Sequence, residues 1–240
     1  GEPTLNTNLG PVIRGIKRMT QIPVVVLTNG TLLTRKAVRR DLLAADIVVP
    51  SLDAVRTAVF KKVNRPHPSL AADKIVRGLV QFRKEFKGQI WLEVMLVKGV
   101  NDSLADIRDL KAAAAAINPD RIHLNTVVRP PAESWAGPLS ARELERARRA
   151  LGPKAEVVAA FSTKSASSGP QSGLSLSRLK AGLEGDIATL VRRRPVTAED
   201  ISLCLGRPGP DVLKALRSLV ELGRIRAVSH GRRTFYEPAK

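Results

Sequence analysis

Residues 23–30 read Pro23-Val24-Val25-Val26-Leu27-Thr28-Asn29-Gly30. An unbroken apolar, β-branched run closed by small polar residues predicts a buried strand of a parallel sheet. The same plan recurs outward from it. Asp46–Val49 ends in Pro50-Ser51-Leu52-Asp53, Ile90–Val97 in Gly99-Val100-Asn101-Asp102, and Arg121–Asn125 in Thr126. Helical spacing fills the intervals: Leu9–Met19, about 35–44, 55–63, a stretch to about Phe86 with Ser69 as cap, and 103–117. Another spans 139–151, where Ser140 and Glu143 have capping-box spacing, and Ala155–Phe161 reads as one more strand. Strands alternating with helices predict parallel pairing through right-handed crossovers. No Gly-x-Gly-x-x-Gly follows any strand, so the expected α/β architecture is a partial (β/α) barrel with chemistry at its C-terminal strand ends.

Composition narrows the partners. The 240 residues carry 40 Lys and Arg against 22 Asp and Glu, a formal charge of +18. Such a field attracts polyanions, nucleic acid first. A single cysteine excludes an internal disulfide framework and fits a reducing, cytoplasmic setting. No apolar run reaches the roughly 18 residues of a membrane span. Three scattered histidines and one cysteine give no metal constellation within this chain.

At the other end of the first helix the chain opens on Gly1-Glu2-Pro3-Thr4-Leu5. Glycine allows close backbone approach and proline ends a ladder, so free carbonyls beside a carboxylate make a cradle for an ammonium group. The strand ends supply the rest of the candidate site: Thr28 and Asn29, Ser51 and Asp53, Val97 and Asn101, and Asn125 with Thr126. A carboxylate such as Asp53 can accept two ribose hydroxyls. Arg65, His67, Arg129 and Glu133 sit in proline-stiffened loops on the same side and are candidates for gripping a substrate. Glu93 can point into the barrel and hydrogen-bond there, and Lys98 flanks the same strand. His123, within a strand, reads as a core histidine, His230 as exposed, and Cys204 as a small buried apolar residue.

These strand-end words together resemble the radical S-adenosylmethionine (SAM) superfamily over roughly residues 1–130. In that family a Gly-Gly-Glu-Pro sequence after the second barrel strand receives the amino group of SAM, with Gly1 here as its second glycine. The resemblance implies SAM contacts at Gly1, Glu2, Pro3, Thr4, Thr28, Asn29, Ser51, Asp53, Val97, Asn101 and Asn125. It also implies a 4Fe-4S cluster and an electron donor such as ferredoxin or flavodoxin. The three-cysteine cluster motif of the family is absent from these residues. The chain is therefore expected to be a catalytically inactive fragment, its barrel lacking the first strand. Within the superfamily it looks nearest the wyosine-type tRNA-modifying and glycyl-radical-activating branch.

Residues 162–177 are small, polar and broken by Gly and Pro, and read as a linker between a 1–161 domain and a 178–240 domain. Beyond it, three helical segments and a hairpin around 230–233 resemble a winged helix-turn-helix. Lys214, Arg217, Arg232 and Arg233 are its candidate phosphate contacts. Two functions stay open. One is a radical SAM enzyme acting on RNA or a protein. The other is a nucleic-acid-binding regulator whose barrel senses a ligand.

Overall fold

The predicted strands become β1 (Val25–Thr28), β2 (Ile47–Pro50), β3 (Gln89–Leu96), β4 (Arg121–Thr126) and β5 (Ala155–Val157). They are seen in a computed structural model that describes residues 1–158, 182–231 and 233–239. All four pairings are parallel, and spatial order repeats chain order, β1-β2-β3-β4-β5. An order that never reverses is that of a barrel wall, since doubly wound sheets reverse at a switch point.

The connections are α1 (Leu9–Met19), α2 (Lys36–Leu42), α3 (Thr57–Asn64), α4 (Ala72–Glu85), α5 (Leu104–Ile117) and α6 (Ala141–Leu151). Right-handed crossovers without reversal put successive helices on one side of the sheet. Burial follows that rule. Val26, Val48, Ile90, Leu92, Val94, Leu96, Ile122 and Leu124 share the covered face and are 6% exposed or less. The alternate residues of β1, β3 and β4 do not. Val25 is 43% and Leu27 61% exposed, while Trp91, Glu93, Met95, His123 and Asn125 are half-buried. The continuous apolar run at 24–27 is thus buried on one face only, against the expectation from its composition.

Local chemistry fixes the helices. Ser103 caps α5 by accepting from Asp106 N, and Ser140 with Glu143 forms the expected capping box on α6. Ser69 does not cap α4, which starts after Ala71; its hydroxyl lies 2.8 Å from His67 Nδ1. Gly78 lets α4 lie against the 33–34 turn, where a Cβ would come within 2.8 Å of Thr34 N. The Arg39 guanidinium, 7% exposed, ties α2 to that turn through Leu33 O and Thr34 O and pairs with Glu85 at 2.9 Å.

Contacts divide the chain into two units, Gly1–Val127 with Glu133–Phe161, and Val128–Ala132 with Ser162–Lys240. The linker expected at 162–177 lies outside the described residues, as do the far ends of the strand expected to Phe161 and the helix expected from Leu179. The second unit contains α7 (Leu183–Arg193), α8 (Ala198–Leu205), α9 (Gly209–Glu221) and an antiparallel hairpin of β6 (Ile225–His230) and β7 (Arg233–Pro238). Val196 bridges to Tyr236 on the hairpin, completing a winged-helix arrangement. Its core gathers Ile187, Val191, Ile201, Val212, Leu216, Leu219 and Ile225. Cys204 is exposed rather than buried, because the core-facing side of α8 passes through Ile201 and Leu205. His230 is half-buried, edge-on to Phe235 at 6.4 Å, where an exposed side chain was expected.

Candidate functional site

Because every parallel strand points the same way, the residues after β1, β2, β3 and β4 arrive at one rim. A hollow of about 240 Å³ opens there. Leu52, Phe60, Leu70 and Ile75 give it apolar wall, and Asn29, Thr31, Ser51, Asp53, Asn64 and His67 give it polar lining. Of the residues predicted from strand ends, Asn29, Ser51 and Asp53 face the hollow directly, joined by His67 from the α3–α4 loop.

Glu2 reaches the same rim by a different role. Its Oε1 accepts from Thr4 N (3.1 Å), Thr4 Oγ1 (2.6 Å) and Thr28 Oγ1 (2.6 Å), and its Oε2 accepts from Asn29 N (2.7 Å). Burial pushes this carboxyl up, but the bonds from Asn29, Thr28 and Thr4 outweigh it and hold it below the usual carboxylate range. Glu2 therefore clamps the 3-10 turn Pro3–Leu5 to the end of β1. Thr4 and Thr28 are buried partners in that clamp, and Gly1 is exposed beside it. The Asn29 side chain, exposed, accepts from Thr31 N and Thr31 Oγ1, a turn that carries the chain out of β1.

Asp53 forms the floor. It is 7% exposed. Its Oδ1 accepts from Met95 N (2.8 Å) and its Oδ2 from Asn64 Nδ2 (2.7 Å). Burial pushes the carboxyl up, against the opposing pull of the Met95 and Asn64 bonds, and nearby Glu93 adds to the rise; it settles at about 6. Glu93 stands behind Ser51, whose hydroxyl donates to its Oε2 at 3.3 Å. The hollow is acid at its floor in a chain of +18.

Other predicted residues do structural work. Asn101 was expected to touch a cofactor, but it is fully buried. Its amide donates to Asp53 O (2.8 Å) and Met95 O (2.9 Å) and accepts from Val97 N (2.7 Å). Val97 is itself buried. Thr126, expected at a substrate, is 2% exposed, donating to Leu96 O and accepting from Leu139 N. The Asn125 Oδ1 accepts from Thr126 N. Arg65 pairs with Glu133, and Lys98 with Glu143 at 3.2 Å. Arg129 is exposed on the 128–132 segment, which groups with the second unit. His123 is no core residue: on the helix-free face it pairs with Glu156 at 3.0 Å and leans on Trp91.

Asn64 was not expected at the hollow. Its signal was faint, an amide just ahead of the two prolines Pro66 and Pro68 that fix the following loop. On the second unit, Lys214 and Arg217 are exposed on α9 and Arg233 on β7; Arg232 lies outside the described residues. Among the described residues no three His, Cys, Asp or Glu side chains converge as a metal site.

Known proteins resemble the chain in both units. Residues 188–240 match the family described as sugar-specific transcriptional regulator TrmB. A Brachyspira hyodysenteriae protein named GTPase Obg is 36% identical over 229 residues, 94% of this chain and 32% of that protein. The chain thus spans about a third of that relative's length, and it contains no Gly-x-x-x-x-Gly-Lys-Ser/Thr loop of its own. A UPF0026 protein of Helicobacter pylori is 31% identical over 238 residues, covering 98% of this chain and 72% of that protein.

Among solved structures, a domain of pyruvate-formate lyase-activating enzyme from Bacteroides vulgatus superposes with a TM-score of 0.54 at 18% identity. That match covers 65% of this chain and 94% of the domain. SuiB from Streptococcus suis bound to S-adenosylmethionine gives 0.50 at 15% identity, over 67% and 38% of the two chains. Both neighbours are radical SAM enzymes, and what they share with this chain is the fold.

Proposed function

Because this chain belongs to the UPF0026 family and its first unit has the radical SAM fold, we propose that the rim hollow binds S-adenosylmethionine within a radical SAM enzyme. One observation carries the reading: a strongly basic chain keeps an acid floor, Asp53 with Glu93 behind it, under an apolar wall. A sulfonium nucleotide needs that combination, since its cation gains from the carboxylates and its adenine from Phe60, Leu70 and Ile75. Ser51 and Asp53 suit ribose hydroxyls, and the backbone of Gly1–Thr4, which Glu2 clamps to the end of β1, suits the amino group. Bound there, the nucleotide would supply radical chemistry once an external one-electron donor cleaved its S–C5′ bond with release of methionine; the residues of the rim would orient it and exclude water.

The lone cysteine, Cys204, belongs to the second unit, so the donor set of these residues does not fit a 4Fe-4S cluster. A ferredoxin- or flavodoxin-class electron donor and an RNA or protein substrate belong to the same proposal for the whole enzyme.

The test compares SAM with S-adenosylhomocysteine, which has a neutral sulfur, by titration calorimetry on this chain. At pH 8 SAM is expected to bind about tenfold more tightly, a gain of about 1.4 kcal/mol that lies between a charge pair in bulk water and one close at a protein surface. The preference should shrink at pH 5, below the titration of Asp53. Equal affinities at pH 8, or no binding of either, would remove the assignment.

The TrmB match favours a second reading for residues 188–240, that the winged unit grips nucleic acid through Lys214 and Arg217 on α9. Replacing both by Ala should reduce the slope of log affinity for duplex DNA against log salt by about 2, one counterion per lost phosphate contact. An unchanged slope in an anisotropy titration would count against it.

A further inference from the structure

We propose that Asn64 is a positioning residue, whose side-chain amide holds the Asp53 carboxylate turned toward the hollow and keeps it charged for a cationic ligand. The inference rests on the SAM reading of that hollow and adds to it the residue that decides when the floor carries its charge.

Three groups fix Asp53. Asn101 holds its carbonyl and Met95 N its Oδ1, both from the packed end of β3 and the loop after it. Asn64 alone comes from the rim, at the last turn of α3, and alone is exposed. Its Nδ2 meets Oδ2 at 2.7 Å, and both residues line the hollow. The chain is shaped to deliver it there. Arg65, immediately after, takes a left-handed backbone (φ 46°, ψ 52°) that non-glycine residues seldom adopt, and its side chain is anchored to Glu133.

The remaining charged and titratable neighbours make that bond matter. Glu93 faces Asp53 from β3 with like charge, and His67 lines the hollow from the α3–α4 loop. With Asn64 gone, Oδ2 would be desolvated next to a second carboxylate with no donor, and taking up a proton becomes the easiest relief. An ordinary surface asparagine at a helix end would have no such influence.

The test uses the 240-residue chain with Asn64→Ala and Asn64→Gln. Carbon-detected NMR of the ligand-free protein follows Asp53 through pH 4–9. In Asn64→Ala its carboxyl should titrate about one pH unit higher than in the parent, the order of one lost hydrogen bond to an ionised group. Asn64→Gln, which can still reach from the rim, should restore most of the difference. Affinity for SAM should then fall about fivefold at pH 6 and less than twofold at pH 8 in Asn64→Ala, following the ionised fraction. Asp53 titrating at the parental pH in Asn64→Ala would overturn the proposal. So would an affinity loss as large at pH 8 as at pH 6, which marks mere loss of shape. Failure of SAM to bind the parent at any pH would overturn the reading of the hollow, while the NMR titration still decides the link between Asn64 and Asp53.

Discussion

Asp53→Asn should make the chain harder to unfold at pH 8 and at the same time lower its affinity for a cationic ligand about tenfold. The carboxyl is raised from 3.8 to about 6 in the folded protein, chiefly by burial. A raised acid binds its proton more tightly folded than unfolded, so stability falls as pH climbs from about 4 to about 6 and is flat above. Keeping the charge buried at pH 8 therefore costs about 2–3 kcal/mol. Asparagine is nearly the same shape and its carbonyl can still accept from Met95 N. Asn64 need only turn its amide over to accept from the new Nδ2. Denaturant titrations at pH 4 and pH 8 would show the two proteins alike at pH 4 and the variant about 2 kcal/mol more stable at pH 8. Acidic side chains elsewhere shift both curves equally and cancel in the comparison. A variant that unfolds more readily at pH 8 would mean that Asp53 holds the loop together rather than waiting for a ligand.

Asn101→Ala is the opposite case, a large loss of stability with no charge involved. The amide is fully buried and satisfies three backbone groups, Val97 N, Asp53 O and Met95 O. Alanine removes the bond that each of the three makes to this buried side chain. Each unsatisfied buried group costs about 1–3 kcal/mol, and shared relaxation brings the total to about 3–5 kcal/mol. Because Asp53 and Met95 are the bonds' other ends, the floor of the hollow should loosen as well. Hydrogen exchange at Val97 and Met95 amides would report it locally. A loss below about 1 kcal/mol would show that the backbone there finds other partners.

The parallel sheet and its helices were legible because periodicity carries them: apolar runs of strand length alternated with 3.6-residue spacing, and capping chemistry marked Ser103 and Ser140. Which strand-end polar residues face the hollow was not legible. Asn29, Asp53, Asn101 and Thr126 look alike in sequence, small polar residues after an apolar run. The difference is whether the side chain turns toward the rim or back into the loop bases, and that depends on partners 30 to 50 residues away, such as Leu96 for Thr126 and Asp53 for Asn101. Asn64 escaped notice for the same reason, since its value lies in meeting Asp53 across α3. The one-sided burial of β1 was hidden too, because a run of valines reads the same whether one face is covered or both.

The unreversed strand order has a kinetic corollary. Every strand of the sheet pairs with the strand before it in the chain, so each addition closes a single crossover, the longest being 51–88 between β2 and β3, and never the whole sheet at once. Such a unit can assemble by accretion, one βα pair laid against the last.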